Sequence, residues 1–159
     1  MRIVAGTRRI RTIVASTNTT GTNALTGPIT LGATADTGKS LTLAVAAGGT
    51  LAVAGQVRAN GADVSAGIAT QNSTGSGNAI ITLSAANTYA GGTTVGANTT
   101  VVANDTAALG ANSATNALNL AGGTLRYGNV RYVAGVKQSY RQVANDLGTA
   151  LSGFTSFGT

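Results

Sequence analysis

The 159-residue sequence contains no cysteine, histidine, glutamate or tryptophan, and only 4% of its residues are aromatic. Without cysteine it forms no disulfide and carries no thiolate. Its only acidic residues are four widely spaced aspartates, so it offers little for acid–base catalysis, zinc binding or activation of a serine. These absences predict that the chain is not an enzyme and has no catalytic, cofactor or metal site.

Charged residues are also scarce, at 9% of the chain against the roughly 25% that is usual in soluble domains. Hydroxyl and amide side chains must therefore keep the surface hydrated, which suits a protein exposed outside the cell. Large aromatic anchors are few, so burial must come from many small or branched residues stacked regularly. We expect an extracellular or bacterial cell-surface location.

The net charge of +6 is concentrated at the two ends of the sequence. Residues 1–11 and residues 126–141 each carry four positive charges, whereas residues 12–125 sum to −1. A nucleic-acid surface would carry basic residues along one face with aromatic residues among them, so we expect no nucleic-acid partner. The ends are expected to face solvent or an anionic surface.

No apolar run is long enough to span a membrane. Arg8, Arg9 and Arg11 interrupt the apolar stretch that a cleavable secretory signal needs, so residues 1–16 contain no readable signal. Export would then be signalled elsewhere, or the sequence would not be the true beginning of the protein.

Short segments of alternating hydrophobicity, separated by glycine-rich turns, fill residues 24–128. A period of two predicts strands with one buried face, and the turns are frequent enough to keep the strands short. The residues expected to point into the core are Leu41, Leu43, Leu51, Val53, Ile81, Leu83, Leu118, Leu120 and Leu125.

A turn followed by a strand recurs in near-copy form at 48–51, 91–95 and 122–125, each beginning Gly-Gly-Thr. The second glycines are 43 and then 31 residues apart. Self-similarity of this kind predicts a β-solenoid, whose units bury their apolar faces by stacking. The uneven spacing means that the repeats carry insertions or span different numbers of coils. A β-sandwich or barrel is the alternative fold.

Residues 80–128 contain an ordered series of motifs: Ile81 to Leu83, Ser84 to Tyr89, Gly91 to Val95, Val101-Val102, Asn104 to Gly110 and Gly122 to Leu125. The series resembles the autotransporter-associated β-strand repeat, also called the passenger-associated transport repeat. This resemblance implies an all-β, right-handed parallel β-helix in a secreted or surface passenger, where the repeat assists export and folding outside the cell. Its structural motif residues here are Asn87, Thr88, Tyr89, Gly91, Gly92, Thr93, Gly122, Gly123 and Thr124.

Two departures from the family pattern stand out. Ala85 replaces a common glycine, and Asn98-Thr99-Thr100 replaces the usual Ala-Gly-Thr-Leu, which predicts the loss of one buried leucine and a looser coil. Within the motif, Asn87 suits a tight corner where its amide can bond neighbouring backbone, and Tyr89 can cover the adjacent coil.

The chain divides by pattern into three parts: a basic segment at residues 1–23, the solenoid at 24–133, and a C-terminal part at 134–159. In the last part the apolar residues change to a spacing of three or four, which predicts a helix over residues 134–151. The alternative is a loop that leads into a further coil. Such weakly shielded ends predict attachment to further coils of a longer chain or end-to-end self-association.

One motif points to a different class of protein. Residues 33–40, ATADTGKS, fit a relaxed phosphate-binding loop. That mechanism needs a following helix, whose N-terminal amides face the phosphates, whereas the residues after Ser40 have a strand pattern. We therefore interpret this stretch as a charged turn between strands.

Three functions follow from these patterns. The first is a structural passenger segment of an autotransporter-like protein. The second is an adhesive or carbohydrate-binding module, which would contact glycans or a cell surface. The third is a polysaccharide lyase, for which Asp63, Asp105 and Arg126 are the candidate residues.

Overall fold

A computed structural model of the chain describes residues 12–32, 38–61, 63–111, 113, 115–127, 130–133 and 137–139. Over these residues the protein is all-β, and none of them lies in a helix. The strands in chain order are β1 Thr12–Ser16, β2 Thr22–Leu25, β3 Ile29–Leu31, β4 Ser40–Val45, β5 Thr50–Val53, β6 Val57–Ala59, β7 Gly67–Asn72, β8 Ala79–Leu83, β9 Thr93–Gly96, β10 Thr99–Ala103, β11 Ala117–Ala121, β12 Thr124–Tyr127, β13 Val130–Val133 and β14 Lys137–Ser139.

These strands form a β-solenoid of about four turns. The first sheet has the order β1-β4-β7-β9-β11-β14, and the second has the order β2-β5-β8-β10-β12-β13. A third side of the solenoid contains the two-stranded pair β3-β6. Strands β1 to β12 pair only in parallel, so the chain winds from one side to the next and returns one level up. The parallel β-solenoid is confirmed, and the sandwich and barrel alternatives are wrong.

Each turn of the solenoid takes between 25 and 29 residues. In the first sheet, Thr12 is in register with Leu41, Leu41 with Ile68, Ile68 with Thr93, and Thr93 with Leu118. Strands occupy the third side only in the first two turns; in the next two this side is crossed by irregular chain, at 84–92 and 104–116. The structural motif around Asn87 therefore lies where strands are absent.

The core is a set of side-chain columns that run along the solenoid axis. One column stacks Leu51, Ile81, Val101 and Leu125 from four successive turns of the second sheet. All nine residues expected to point inward are buried, which confirms the period-two assignment. Strands in register are about 4.8 Å apart, so each buried side chain contacts its counterparts above and below.

The Gly-Gly-Thr turns do not all occupy one corner of the solenoid. Gly48-Gly49 and Gly122-Gly123 both lie between the first and second sheets, whereas Gly91-Gly92 lies between the third side and the first sheet. The spacings of 43 and 31 residues therefore do not measure a whole number of turns. The uneven period arises because similar turns serve two different corners.

At the corner between the first and second sheets, Asn98 takes the place of a glycine. Among the described residues it is the only non-glycine with a positive φ, of 55°. Gly48 and Gly122, which lie at the same level of neighbouring turns, have φ of 79° and 85°. Asparagine tolerates this left-handed conformation better than most residues.

The expected loss of a buried leucine at Thr100 is wrong. Thr100 points outward and is only half-buried, and its hydroxyl donates a hydrogen bond to Asn78 Oδ1 (3.0 Å). The inward position is Thr99, which is buried and exchanges a hydrogen bond with Thr70 (2.9 Å between the Oγ1 atoms). The substitution therefore leaves the core column of this coil intact, since Val101 fills it.

Both ends of the solenoid differ from the predicted boundaries. Parallel pairing begins with β1 at Thr12, inside the segment assigned to basic N-terminal residues, and not at residue 24. At the other end, β13 pairs antiparallel with β12, and β14 pairs antiparallel with β11. The predicted helix over 134–151 is wrong at Lys137–Ser139, which form a strand; residues 134–136 and 140–151 lie outside the described residues.

The column that contains Leu83 provides a test of core packing. Leu83 is fully buried and lies in register with Val53 and Ala103. We expect Leu83→Ala to lower the free energy of unfolding by about 2–5 kcal/mol, because neighbouring turns are held at a fixed spacing and cannot collapse into the cavity. Chemical denaturation measures this change.

Val102→Ala is the matched control for this prediction. Val102 lies on the same sheet but points outward and is half-buried. Its truncation should cost about 1 kcal/mol or less. Equal losses in the two variants would contradict the assignment of inward and outward faces.

Candidate functional site

The most highly organised group of side chains is centred on Asn87, on the third side of the solenoid. Asn87 is 2% exposed, and its amide bonds the turn below and the turn above. Its Oδ1 accepts a hydrogen bond from the Val57 backbone N–H (2.7 Å), and its Nδ2 donates to the Ala108 carbonyl (2.6 Å). The amide thus replaces strand pairing at a place where strands are absent.

The backbone around Asn87 makes the same two connections. The Asn87 N–H donates to the Ala107 carbonyl, and the Thr88 N–H donates to the Val57 carbonyl, each at 3.0 Å. The Thr88 side chain itself is exposed. Asn87 therefore ties together three successive turns, as a structural corner residue would.

Tyr89 is buried beneath this corner and covers the following turn. Its ring lies against Gly110, where an added Cβ would come within 2.8 Å of the Tyr89 Cε2 atom. Its hydroxyl is hydrogen-bonded to Thr93 Oγ1 at 2.6 Å, and both residues are buried. The largest buried side chain of the protein is therefore satisfied internally and presents no polar group to a ligand.

The motif glycines allow close approach between turns. Gly92 has φ of 96°, and an added Cβ would lie 2.6 Å from the Ala117 carbonyl oxygen. Gly91 similarly abuts Ser65 of the turn below, and Gly123 abuts Gly96. Any larger residue at these positions would force the turns apart.

Thr124 belongs to a column on the outer face of the second sheet. The column consists of Thr22, Thr50, Ile80, Thr100 and Thr124 in register. The residues in the next outward column are Ala24, Ala52, Thr82, Val102 and Arg126. This face is uncharged except at its last turn, and it displays hydroxyl and methyl groups.

Two further buried amides were not singled out from the sequence. Asn116 is buried, and its Nδ2 donates to the carbonyls of Leu109 (3.0 Å) and Ala111 (2.7 Å). Asn72 is also buried, and its Oδ1 accepts hydrogen bonds from the backbone of Thr74 and Gly75. The signal in the sequence is weak, because each is one asparagine among many and only its position next to a strand end distinguishes it.

The residues that resemble a phosphate-binding loop do not have the context that such a loop needs. Strand β4 begins at Ser40, where a helix would be required. The Gly38 N–H donates to Asp63 Oδ1 (3.3 Å), so a carboxylate of the next turn occupies the amide that would face a phosphate. Residues 33–37 lie outside the described residues. The interpretation of a turn between strands agrees with Gly38 to Ser40 as described.

Asp63 is the carboxylate with the strongest local constraint. Its Oδ1 accepts hydrogen bonds from the Ser65 hydroxyl (2.6 Å) and the Ser65 N–H (2.9 Å). Its Oδ2 is buried without a hydrogen-bond partner among the described residues. Burial acts to raise the pKa of Asp63, but the hydrogen bonds from Ser65, Gly38 and Lys39 together outweigh it and hold the pKa below its ordinary value.

The three residues considered for a polysaccharide lyase do not form one site. Asp63 precedes β7, at the entrance to the first sheet, whereas Asp105 follows β10, at the exit from the second sheet. Asp105 lies near Tyr127; burial and then the charge of Asp105 raise the pKa of that phenol. Arg126 is exposed on β12. The two carboxylates therefore lie at different corners of the solenoid.

Within the part of the chain that the structure describes, no group of three or more histidine, cysteine or acidic residues could hold a metal ion. Nor does that part contain a helix long and apolar enough to cross a membrane.

No family model, no curated protein and no solved structure matches this chain. The resemblance of residues 80–128 to an autotransporter-associated repeat therefore supports a proposal and does not assign a family. What the geometry itself supplies is a corner of buried amides whose polar atoms are committed to the fold.

Asn87 is the residue on which this corner depends most. We expect Asn87→Ala to lower the free energy of unfolding by about 2–4 kcal/mol, because it leaves the Val57 N–H and the Ala108 carbonyl buried without a partner. Asn104→Ala, at an exposed position on the same side, should change it by about 0.5 kcal/mol at most. Similar melting curves for the two variants would show that the corner is not held by Asn87.

Acidification provides a test of the Asp63 contacts. A carboxyl group whose pKa is lower in the folded state stabilises the fold above its unfolded pKa of about 3.9, and this contribution is lost as the pH falls through the folded value. We therefore expect the melting temperature of Asp63→Asn to fall less than that of the wild-type protein between about pH 5 and pH 3. Ser65→Ala removes one donor and should give an intermediate dependence. Identical pH profiles for all three proteins would contradict this account.

Proposed function

We propose that this chain is a structural segment of a secreted or surface-exposed bacterial passenger of the autotransporter type, and that it assists export and folding outside the cell. The observation that carries the proposal is the commitment of the motif's polar side chains to contacts between turns. Asn87, Tyr89 and Thr93 are all buried and hydrogen-bonded within the solenoid. A scaffold needs such residues, whereas a binding site needs polar groups that remain accessible.

The mode of stacking supports a role in folding after export. Each strand pairs with a strand about 20–30 residues away, so a turn can form as soon as the preceding turn is in place. A chain that emerges from a membrane pore in one direction can then fold turn by turn. This is the expected contribution of a passenger segment to its own export.

The surface chemistry is consistent with life outside the cell. The outward columns of the second sheet consist of threonine, alanine and other uncharged residues until Arg126 in the last turn. The chain has no histidine, cysteine or glutamate, so few groups change their charge with environmental pH or oxidation. Such a fold tolerates variable external conditions.

The proposal is tested by displaying the chain on a Gram-negative bacterium, between a secretory signal and a translocator barrel. We expect intact surface chain that resists added protease, because the folded solenoid exposes few flexible segments. Asn87→Ala should reduce the resistant surface fraction several-fold, whereas Asn104→Ala should leave it unchanged. A display level unaffected by deletion of residues 80–128 would contradict the role in export.

A binding assay separates this proposal from an adhesive function. The purified chain should show no saturable binding on a glycan array if its polar groups serve the fold. Saturable binding that is lost on changing outward residues such as Thr100 or Thr124, with the fold intact, would replace the scaffold proposal by a carbohydrate-binding one.

A further inference from the structure

The first turn of the solenoid presents three open strand edges at one level. Among the described strands, β1 pairs only with β4, β2 only with β5, and β3 only with β6. The opposite edge of each strand therefore carries backbone N–H and C=O groups without a strand partner in the described part of the chain. Open edges of this kind are templates for pairing with another chain.

The core beneath this first turn is only partly covered. Val14, Leu25 and Ile29 point inward and pack against the core, but each remains partly exposed. The residues in register with them one turn up, Leu43, Val53 and Val57, are fully buried. The missing burial is that which a further turn placed on the open edges would supply.

The first turn also lacks the charges that proteins use to protect an open edge. Residues 12–32 contain no lysine, arginine, aspartate or glutamate. Ile13, at the centre of β1, points outward and is 60% exposed. Neither charge nor proline within the strands opposes pairing along β1, β2 and β3.

The opposite end of the solenoid is built differently. There β13 and β14 reverse the chain direction and pair antiparallel over the last parallel strands of both sheets. Arg131 lies directly opposite Arg126 in this pairing. A basic, reversed end does not continue the parallel ladder, so a head-to-tail stack of copies is disfavoured.

We propose that two copies of this chain associate head-to-head through their first turns. The first turn passes β1, β2 and β3 in order. A two-fold axis through the middle of β1 makes the second copy pass the three sides in the opposite sense. Strand β1 then meets its own counterpart, and β2 meets the β3 of the second copy, in antiparallel pairs on all three sides. One surface is used twice, as a two-fold interface requires.

The association should strengthen with salt. Residues 1–11 directly precede β1 and carry four arginines in each copy, so head-to-head pairing brings like charges to the same end of the assembly. Ions screen this repulsion over a distance of about 10 Å at 0.1 M, whereas the apolar and backbone contacts are unaffected or enhanced.

Sedimentation velocity of the full chain, from about 1 to several hundred micromolar, tests the proposal. We expect a reversible dimer whose dissociation constant rises by about tenfold or more in Ile13→Lys, because the charge is placed in the new interface. Val64→Lys is the matched control: Val64 is 59% exposed but lies in the loop before β7, away from the first turn. Its dissociation constant should equal that of the wild-type protein.

A second variant guards against misfolding of the first. Ala24→Lys places a charge on the exposed outer face of β2 and should weaken the dimer in the same way, with an unchanged circular dichroism spectrum. A wild-type chain that stays monomeric throughout the concentration range would overturn the proposal. So would equal weakening by Val64→Lys, or a dimer that dissociates as the salt concentration increases.

Discussion

Each turn of this chain buries its apolar side chains only against the turns above and below it. The columns of leucine, isoleucine and valine contain no large side chain that could span several turns, and Tyr89 is the one buried aromatic residue in the described part of the chain. Burial is therefore distributed evenly, and stability is close to a sum of contacts between neighbours. The same constraint explains a composition rich in alanine, glycine and threonine, because close-set turns leave little room for bulk.

The corners impose the second requirement. Where the chain changes direction, its backbone groups are buried without a strand to pair with, and an unpaired group costs about 1–3 kcal/mol. Asn72, Asn87 and Asn116 supply the missing hydrogen bonds from their side chains. An amide can both donate and accept without carrying charge, so it suits a buried corner better than lysine or aspartate would.

The two ends of the solenoid differ in chemistry as well as in geometry. The first turn is uncharged and continues the parallel arrangement to an open edge, whereas the last described strands reverse direction and carry basic residues. A repeating fold presents such edges wherever it stops, and what covers them is decided by charge and strand direction. The function proposed for the middle of the molecule, as a scaffold, does not depend on how these edges are used.

The sequence by itself determined the strands, the inward positions and the corner role of Asn87, because a period of two and a turn motif are local properties. It also indicated an absence of catalytic chemistry, which the wide separation of Asp63 and Asp105 in the fold does not contradict. Only the tertiary structure decided that the Gly-Gly-Thr turns serve two corners, that Thr99 and not Thr100 faces inward, and that the chain reverses after β12. These features depend on which residues lie one turn away, and the number of residues in a turn varies too much to be read from one sequence.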